Sequence, residues 1–558
     1  MVEMVLLVAA AATAYAVAQR LGLPSAPTLV AAGALLAVFR HPEPAYLGEA
    51  LTLGVAFLLF LAGLELNPMR VRQQQRAAVR VGLVQFFTMG AVGALGALLL
   101  GFGALSAAYV GLALTASSTL VVVRLLQQRR RLIEPSARLV LGVLLLQDVL
   151  VILCIPLITR LSAGASAVVG GMLLLALLLA IAYGTLRLLA PQLLRLDRHP
   201  ELLLLAALSV LFIFIGLAAI ADLPIVVGAF LAGVSLSAFP VNGVVRVQLA
   251  PIGEFFTALF FTALGALLFD TTPTQLWQGL ILAAVVILAT PVLVTFVVER
   301  AGLSTRPALE AGVLLAQASE LSLVVGLQGA LTGQISDHVF SVIAVATVLT
   351  MVSTPFLSRD RVVWWLLQRY PRRATPSAPI PEHDHVLLLG SGATGMPLLE
   401  TILATGAEVV VIDDDPGVIA RLQEADVPCI RGEATDVDVL RQANAASARV
   451  ITSTVRRPMD NQRVLEFARG VPVLVRVFDD EDAEWVRSAG GIPVVYAEAA
   501  AEGMLEWYDK HRDDIAAHRL RPRGIVDRRD RRRRGPPQPP ESSVTSGRAM
   551  RTTSPEST

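Results

Sequence analysis

The chain has 558 residues, 54% of them hydrophobic and 16% charged, with a mean hydropathy of +0.64. A single soluble domain does not carry that balance, and a net charge of +1 gives no general basis for nucleic-acid or acidic partners. The two cysteines, Cys154 and Cys429, lie in separate regions and exclude a disulfide framework and a cysteine metal centre.

Residues 1 to about 360 read as hydrophobic segments separated by short arginine-bearing gaps, the pattern of a multi-pass α-helical membrane domain. Hydropathy predicts thirteen spans, near 3–19, 26–40, 46–66, 79–100, 104–125, 138–159, 166–188, 201–220, 224–239, 251–269, 276–298, 308–331 and 338–358. The first has Glu3 before it and Arg20 after it, the reverse of a cleavable signal peptide, so it is predicted to stay as a membrane helix. Alternate gaps hold Arg20, then Arg70, Arg72, Arg76 and Arg80, then Arg129 to Arg131, then Arg187, Arg195 and Arg198, then Arg246, then Arg300 and Arg306. Cationic loops stay cytoplasmic, which predicts an outward N-terminus and a cytoplasmic C-terminal part.

Asp148 lies inside the apolar stretch 139–158, with Gln147 beside it. A carboxylate at mid-depth costs roughly 2.5–3.5 kcal/mol on insertion scales. It is read as a proton or cation carrier in preference to a structural acid. Gln147 either lines the same cavity or faces a neighbouring helix. Glu65, Glu49 and Glu254 lie near span ends and are expected at the interface or in water, and no Lys or Arg falls at the middle of a span.

Two halves of the chain echo one another. Leu23 and Pro24 open a segment with Ala32, Gly33, Leu36 and Phe39, and Leu223 and Pro224 open another with Ala232, Gly233, Leu236 and Phe239, at an offset of 200. Thr115, Ala116, Ser117 and Ser118 run into Val122 and Val123, while Gln317, Ala318, Ser319 and Glu320 run into Val324 and Val325, at an offset of 202. Seven spans separate each pair, so the halves are expected to be inverted, as in secondary transporters that bind their cargo at the repeat interface. Hydroxyl side chains satisfy backbone groups where a membrane helix is broken, and the competing reading is that these small residues only let helices pack closely. Glu320 falls one helical turn from Gln317 and is read either as a second carboxylate of the site or as a stabiliser of a broken helix.

Chemistry follows from these charges. Burial disfavours the ionised carboxylate, and an arriving cation favours it and displaces the proton. One such group exposed alternately to each side gives one-for-one cation/proton exchange.

Residues 384–510 read as an ordinary α/β domain after a linker over 361–383, and 519–558 as a disordered Arg-, Pro- and Ser-rich tail that favours water or anionic lipid over nucleic acid. A strand over 385–389 leads into Gly390, Ser391, Gly392, Ala393, Thr394 and Gly395, a helix to about Ala404, and a strand over 408–412 that ends at Asp413. That is the dinucleotide fingerprint in its strand–turn–helix–strand setting. The glycines admit a pyrophosphate at the helix N-terminus, and Asp413, followed by Asp414, can accept from a ribose hydroxyl. NAD(H) or an adenine nucleotide such as AMP is the implied ligand. No hydride-transfer constellation accompanies it, so regulation and not enzymatic catalysis is expected.

The stretches 57–66 (FLLFLAGLEL), 116–119 (ASST), 146–148 (LQD), 228–233 (GAFLAG) and 314–320 (LLAQASE) resemble the monovalent cation:proton antiporter-2 family, close to its Kef-type potassium/proton members. Gly432, Glu433 and Ala434, with the glycine turn and Asp413, resemble an RCK (TrkA-N) domain, where Glu433 stands for the family's usual aspartate. The resemblance implies a homodimer in a bacterial cytoplasmic membrane that exchanges K⁺ or Na⁺ for protons through Asp148, with a nucleotide on the RCK domain. It departs from the glutathione-gated members in two places. The stretch 241–248 has no acidic residue, and Phe478 stands where a second arginine would follow Arg476. A channel gated by the RCK domain would need a Thr-Val-Gly-Tyr-Gly type filter, which the sequence lacks; a transport-dead sensor is the other alternative.

Overall fold

In oil a chain must satisfy its own backbone hydrogen bonds, so apolar runs of this length become helices. The structure is a computed structural model. It describes residues 2–21, 25–39, 44–65, 76–128, 135–193, 200–237, 241–268, 271–301, 303, 305–369, 379–392, 395–455 and 457–516. The helical part comprises α1 (Val2–Leu21), α2 (Ser25–Phe39), α3 (Pro44–Glu65), α4 (Arg76–Leu99), α5 (Ala104–Ala113), α6 (Thr119–Gln128), α7 (Pro135–Ile158), α8 (Ala165–Leu193), α9 (Pro200–Ile220), α10 (Ile225–Ser235), α11 (Val241–Leu267), α12 (Pro273–Arg300), α13 (Thr305–Leu314), α14 (Glu320–Leu331) and α15 (Asp337–Leu357). Every predicted span has a helix or a broken pair of helices in its place. Among the described residues seven helices are long and apolar enough to cross a membrane.

Two spans are broken. The span predicted over 104–125 divides into α5 and α6 around residues 114–118, and the one over 308–331 divides into α13 and α14 around 315–319. Gln317 and Glu320 are therefore not one turn apart on a continuous helix, as the sequence pattern implied. Gln317 lies in the unwound stretch, and Glu320 is the first residue of α14.

The helices pack as two groups, α1–α3 with α9–α11, and α4–α7 with α12–α15; α8 touches both α7 and α10. In the first group the repeat is visible as packing. A Cβ on Gly33 would meet the Thr262 carbonyl oxygen at 1.9 Å, and one on Gly265 would meet that of Val30 at 2.0 Å. A Cβ on Gly63 would meet the Phe230 oxygen at 2.2 Å, and one on Gly233 that of Phe60 at 2.1 Å. Gly33 and Gly233 are repeat mates, as are Gly63 and Gly265, so the two crossings exchange under the repeat. Only glycine lets backbones approach that closely.

The predicted linker is partly helical. Residues 360–369 form α16 (Asp360–Arg369), because Val363 and Leu367 recur at helical spacing and pack against Leu309 and Val313 of α13. Beyond it six parallel strands form one sheet in the order β3-β2-β1-β4-β5-β6, comprising β1 (Val386–Leu389), β2 (Val409–Asp413), β3 (Cys429–Arg431), β4 (Val450–Ser453), β5 (Val473–Val477) and β6 (Ile492–Val495). This is the doubly wound order of a dinucleotide-binding fold. Its helices are α17 (Gly395–Ala404), α18 (Pro416–Glu424), α19 (Val437–Gln442), α20 (Gln462–Phe467), α21 (Asp480–Ser488) and α22 (Tyr496–Ala516). The predicted tail, 519–558, lies outside the described residues.

Candidate ion site and nucleotide cleft

Helices end inside the bundle where hydroxyls replace the missing backbone partners. The Thr115 hydroxyl donates to the Leu112 carbonyl at 2.7 Å and closes α5. The Ser118 hydroxyl accepts from the Val121 amide at 3.3 Å and opens α6. Ser319 caps α14 in a capping box with Ser322, whose hydroxyl also donates to the Ala113 carbonyl. The Ala318 amide is taken by the Thr350 hydroxyl at 3.0 Å.

The two breaks are bonded to each other. The Ser117 hydroxyl donates to the Leu315 carbonyl at 2.7 Å, and the Ser117 amide donates to Gln147 Oε1 at 3.2 Å. Gln317 Nε2 donates to the Ser118 carbonyl at 3.5 Å. The Ser118 hydroxyl donates to Glu320 Oε1 at 2.6 Å, and Ser319 donates to the other oxygen at 3.3 Å. Asp148 Oδ2 accepts from the Thr119 hydroxyl at 2.9 Å. Both carboxylates thus face the N-terminal ends of half-helices, α6 and α14, whose dipoles favour negative charge. The carbonyl ends of α5 and α13 meet at the same crossing and favour a cation.

All eight predicted ion-site residues fall at this crossing. Thr115, Ser117, Ser118, Gln147, Gln317 and Ser319 are buried, whereas Asp148 and Glu320 are partly exposed. Gln147 meets the first break through the Ser117 amide. Three residues were missed. Thr119 continues the same hydroxyl run, one residue past the predicted lining. Gln85, 2% exposed, donates to the Ser117 hydroxyl at 3.5 Å from α4, and its local signal is an amide inside the apolar span 79–100. Arg124 lies on α6 within electrostatic reach of Glu320 and donates to Ser25 of α2. Gln85 Oε1, Gln147 Nε2 and Gln317 Oε1 are buried with no hydrogen-bond partner among the described residues, which leaves polar capacity for a hydrated or partly dehydrated cation. Glu254 is exposed and accepts from Tyr15 at 3.3 Å, as expected near a span end. The Glu49 and Glu65 side chains lie outside the described residues.

At the nucleotide cleft Gly390 has φ +81, and a Cβ there would meet Thr454 Oγ1 at 2.9 Å. A Cβ on Gly395 would meet the Gly390 oxygen at 2.2 Å, so α17 is seated directly on the turn. Around Gly392 the space is open, and a side chain there would fill the cradle in front of α17. These positions fit a pyrophosphate. Ala393 and Thr394 lie outside the described residues. Asp413 accepts from the Ser391 amide at 2.6 Å and the Asp415 amide at 2.9 Å. Burial pushes its carboxyl up to about 6; the two amides pull it down, and Asp414 and Asp415 push it up. Glu433 follows β3 beside Asp413, since the Gly432 amide donates to the Asp413 carbonyl at 3.1 Å. Asp414 is half-buried next to them. Arg476 donates to the Thr454 carbonyl at 2.8 Å and lies 5.0 Å from the Phe478 ring centre.

The sodium/hydrogen exchanger transmembrane family profile matches residues 6–359, and a TrkA-N domain profile matches 386–505. The glutathione-regulated potassium-efflux system protein KefC of Salmonella schwarzengrund (strain CVM19633) is 27% identical over 456 residues, 78% of this chain and 73% of that protein. The KefC of Salmonella newport (strain SL254) matches to the same extent. The sodium proton antiporter MjNhaP1 of Methanocaldococcus jannaschii superposes with a TM-score of 0.50 at 15% identity, covering 65% of this chain and 95% of that one. It shares the helical fold, including the predicted antiporter-like architecture.

Proposed function

The chain belongs to the sodium/hydrogen exchanger family, and we propose that it exchanges K⁺, in preference to Na⁺, for protons across a bacterial cytoplasmic membrane. It is a multi-pass cation/proton antiporter with a TrkA-N domain, and not an enzyme. The observation that carries the proposal is the partly exposed Asp148, held by Thr119 where two unwound segments cross. Asp148 holds a proton in one half-cycle and the cation in the other. Gln147, Ser117, Ser118, Gln317 and Ser319 shape the crossing, Thr115 closes the half-helix that leads to it, and Glu320 ties the breaks together. The potassium-efflux relatives favour K⁺.

Thirteen crossings with an outward N-terminus follow from the arginine distribution and leave the TrkA-N domain in the cytoplasm. The domains are 1–360 for transport, 361–383 as connector, 384–510 for nucleotide binding, and 519–558 as tail. Gly390, Gly392, Ala393, Thr394 and Gly395 would receive the phosphates of NAD(H) or an adenine nucleotide, and Asp413, Asp414 and Glu433 the ribose side. Bound there, the nucleotide supplies no chemistry and acts as a signal. Glutathione is not carried over from the relatives, since 241–248 lacks acid and Phe478 occupies the second arginine's place. A homodimer would cover Met504, Leu505, Trp507 and Tyr508, which stand exposed on α22.

The test is proton flux in proteoliposomes under imposed K⁺ or Na⁺ gradients, with and without NADH or AMP. K⁺ is expected to drive the larger flux, and a nucleotide to change it. A flux that follows an imposed membrane potential would contradict one-for-one exchange.

A further inference from the structure

A second cluster of buried charge lies at the joint between the helical part and the nucleotide-binding fold. Arg306, in the first turn of α13, is 7% exposed. Its guanidinium meets three carboxylates, with Nε 3.3 Å from Glu310, Nη1 3.4 Å from Glu433 and Nη2 2.8 Å from Asp460. Arg457 grips both oxygens of Glu310 at 2.9 and 3.0 Å. Trp364 of α16 lies under Arg306 at 4.8 Å and under Arg463 of α20 at 4.4 Å. The transport part supplies Arg306 and Glu310, the connector helix α16 supplies Trp364, and the sheet domain supplies the rest from its carboxyl edge.

Each side of this joint leads to a site. On one side α13 is buried along most of its length, and Gly312 abuts Pro291 of α12 so closely that a Cβ would meet its oxygen at 2.9 Å. Ten residues make a stiff rod of about 15 Å that ends at Leu314, where the second break begins. On the other side Glu433 adjoins Asp413 in the cleft, and the Thr435 hydroxyl donates to it at 3.2 Å. Ligands of doubly wound sheets lie outside the carboxyl ends of the strands, so Glu433 faces both a nucleotide's place and Arg306.

We propose that Arg306, Glu310, Glu433, Asp460 and Arg457 form an ion-pair clasp with which a bound nucleotide competes. A nucleotide hydroxyl that donates to Glu433 draws that carboxylate away from Arg306. The half-helix α13 is then held less firmly, and the break that carries Gln317, Ser319 and Glu320 shifts with it. The proposal rests on nucleotide sensing by the TrkA-N domain. Coupling of this kind is reciprocal: whatever loosens the clasp must tighten the nucleotide.

The experiment uses the full-length protein. Binding of NADH and AMP is measured by calorimetry in detergent, and K⁺-driven proton flux is measured in proteoliposomes with and without each nucleotide. Arg306→Gln is expected to raise nucleotide affinity by about fivefold or more, the lower end of typical coupling, and to give a flux that no longer responds to nucleotide. Asp460→Asn, which leaves the cleft acids intact, is expected to act in the same direction less strongly, and it decides the matter if Arg306→Gln does not fold. Arg306→Lys keeps the charge without the fork and is expected to fall between. A purely structural role would lower stability without tightening a ligand. Unchanged or weakened affinity in the variants, with a normal nucleotide response in the native protein, would overturn the clasp. If the native protein binds neither nucleotide, the sensing reading itself fails and the clasp falls with it.

Discussion

Asp148 and Glu320 are both carboxylates at a helix break, yet their surroundings differ. Glu320 receives two hydroxyls from opposite breaks, whereas Asp148 accepts from the Thr119 hydroxyl at the first turn of α6. Glu320→Gln is therefore expected to weaken the join, lowering stability by about 1–3 kcal/mol, while the pH profile of exchange persists. Thermal unfolding and flux measured side by side check this, and loss of proton coupling as complete as in Asp148→Asn would refute it. Asp413 gives a pH prediction outside the membrane. Its carboxyl, raised to about 6 by burial, is protonated below that value and ionised above it. A ribose hydroxyl donates best to the ionised form, so nucleotide affinity should rise as pH increases from 5 to 7, and Asp413→Asn should flatten the curve. Calorimetry across that range measures it. Asp148, Gln147 and the serines were legible in the sequence because polar residues in oil are conspicuous. Thr119 and Arg124 were not, because a break rotates side chains away from where a continuous 3.6-residue period puts them.

The breaks and the glycine crossings carry most of the architecture at the level of elements. Hydropathy placed its thirteen predicted spans where the structure has a helix or a broken pair of helices, and the polar clusters marked where two of them divide. Hydropathy alone reads α16 as linker, since it is short and its mean polarity high; the helical spacing of Val363 and Leu367 gains its meaning from their packing on α13. A Cβ added at Gly63 or Gly265 would meet a facing carbonyl oxygen at 2.2 or 2.0 Å. Gly63→Ala and Gly265→Ala should each destabilise the first helix group by about 1–3 kcal/mol through overpacking, and to a similar extent. Thermal unfolding of the two variants in detergent measures it. A harmless alanine at either site would mean that the helices do not approach as described.

For the whole molecule, the division into two helix groups with a shared repeat, and a sheet domain set against α13, is the frame in which exchange and its control are joined. The fold class was legible because composition and the glycine fingerprint each point to one architecture. The clasp was not, since Arg306 and Glu433 are 127 residues apart and acquire meaning only through tertiary contact. Exchange depends above all on Asp148 trading a proton for a cation. The most direct measurement compares K⁺-driven proton flux in proteoliposomes of native protein and of Asp148→Asn, with nucleotide binding to the same preparations as the control for folding. Asp148→Asn is expected to abolish the coupled flux and leave nucleotide binding intact. Undiminished proton flux in a variant that still binds nucleotide would contradict it.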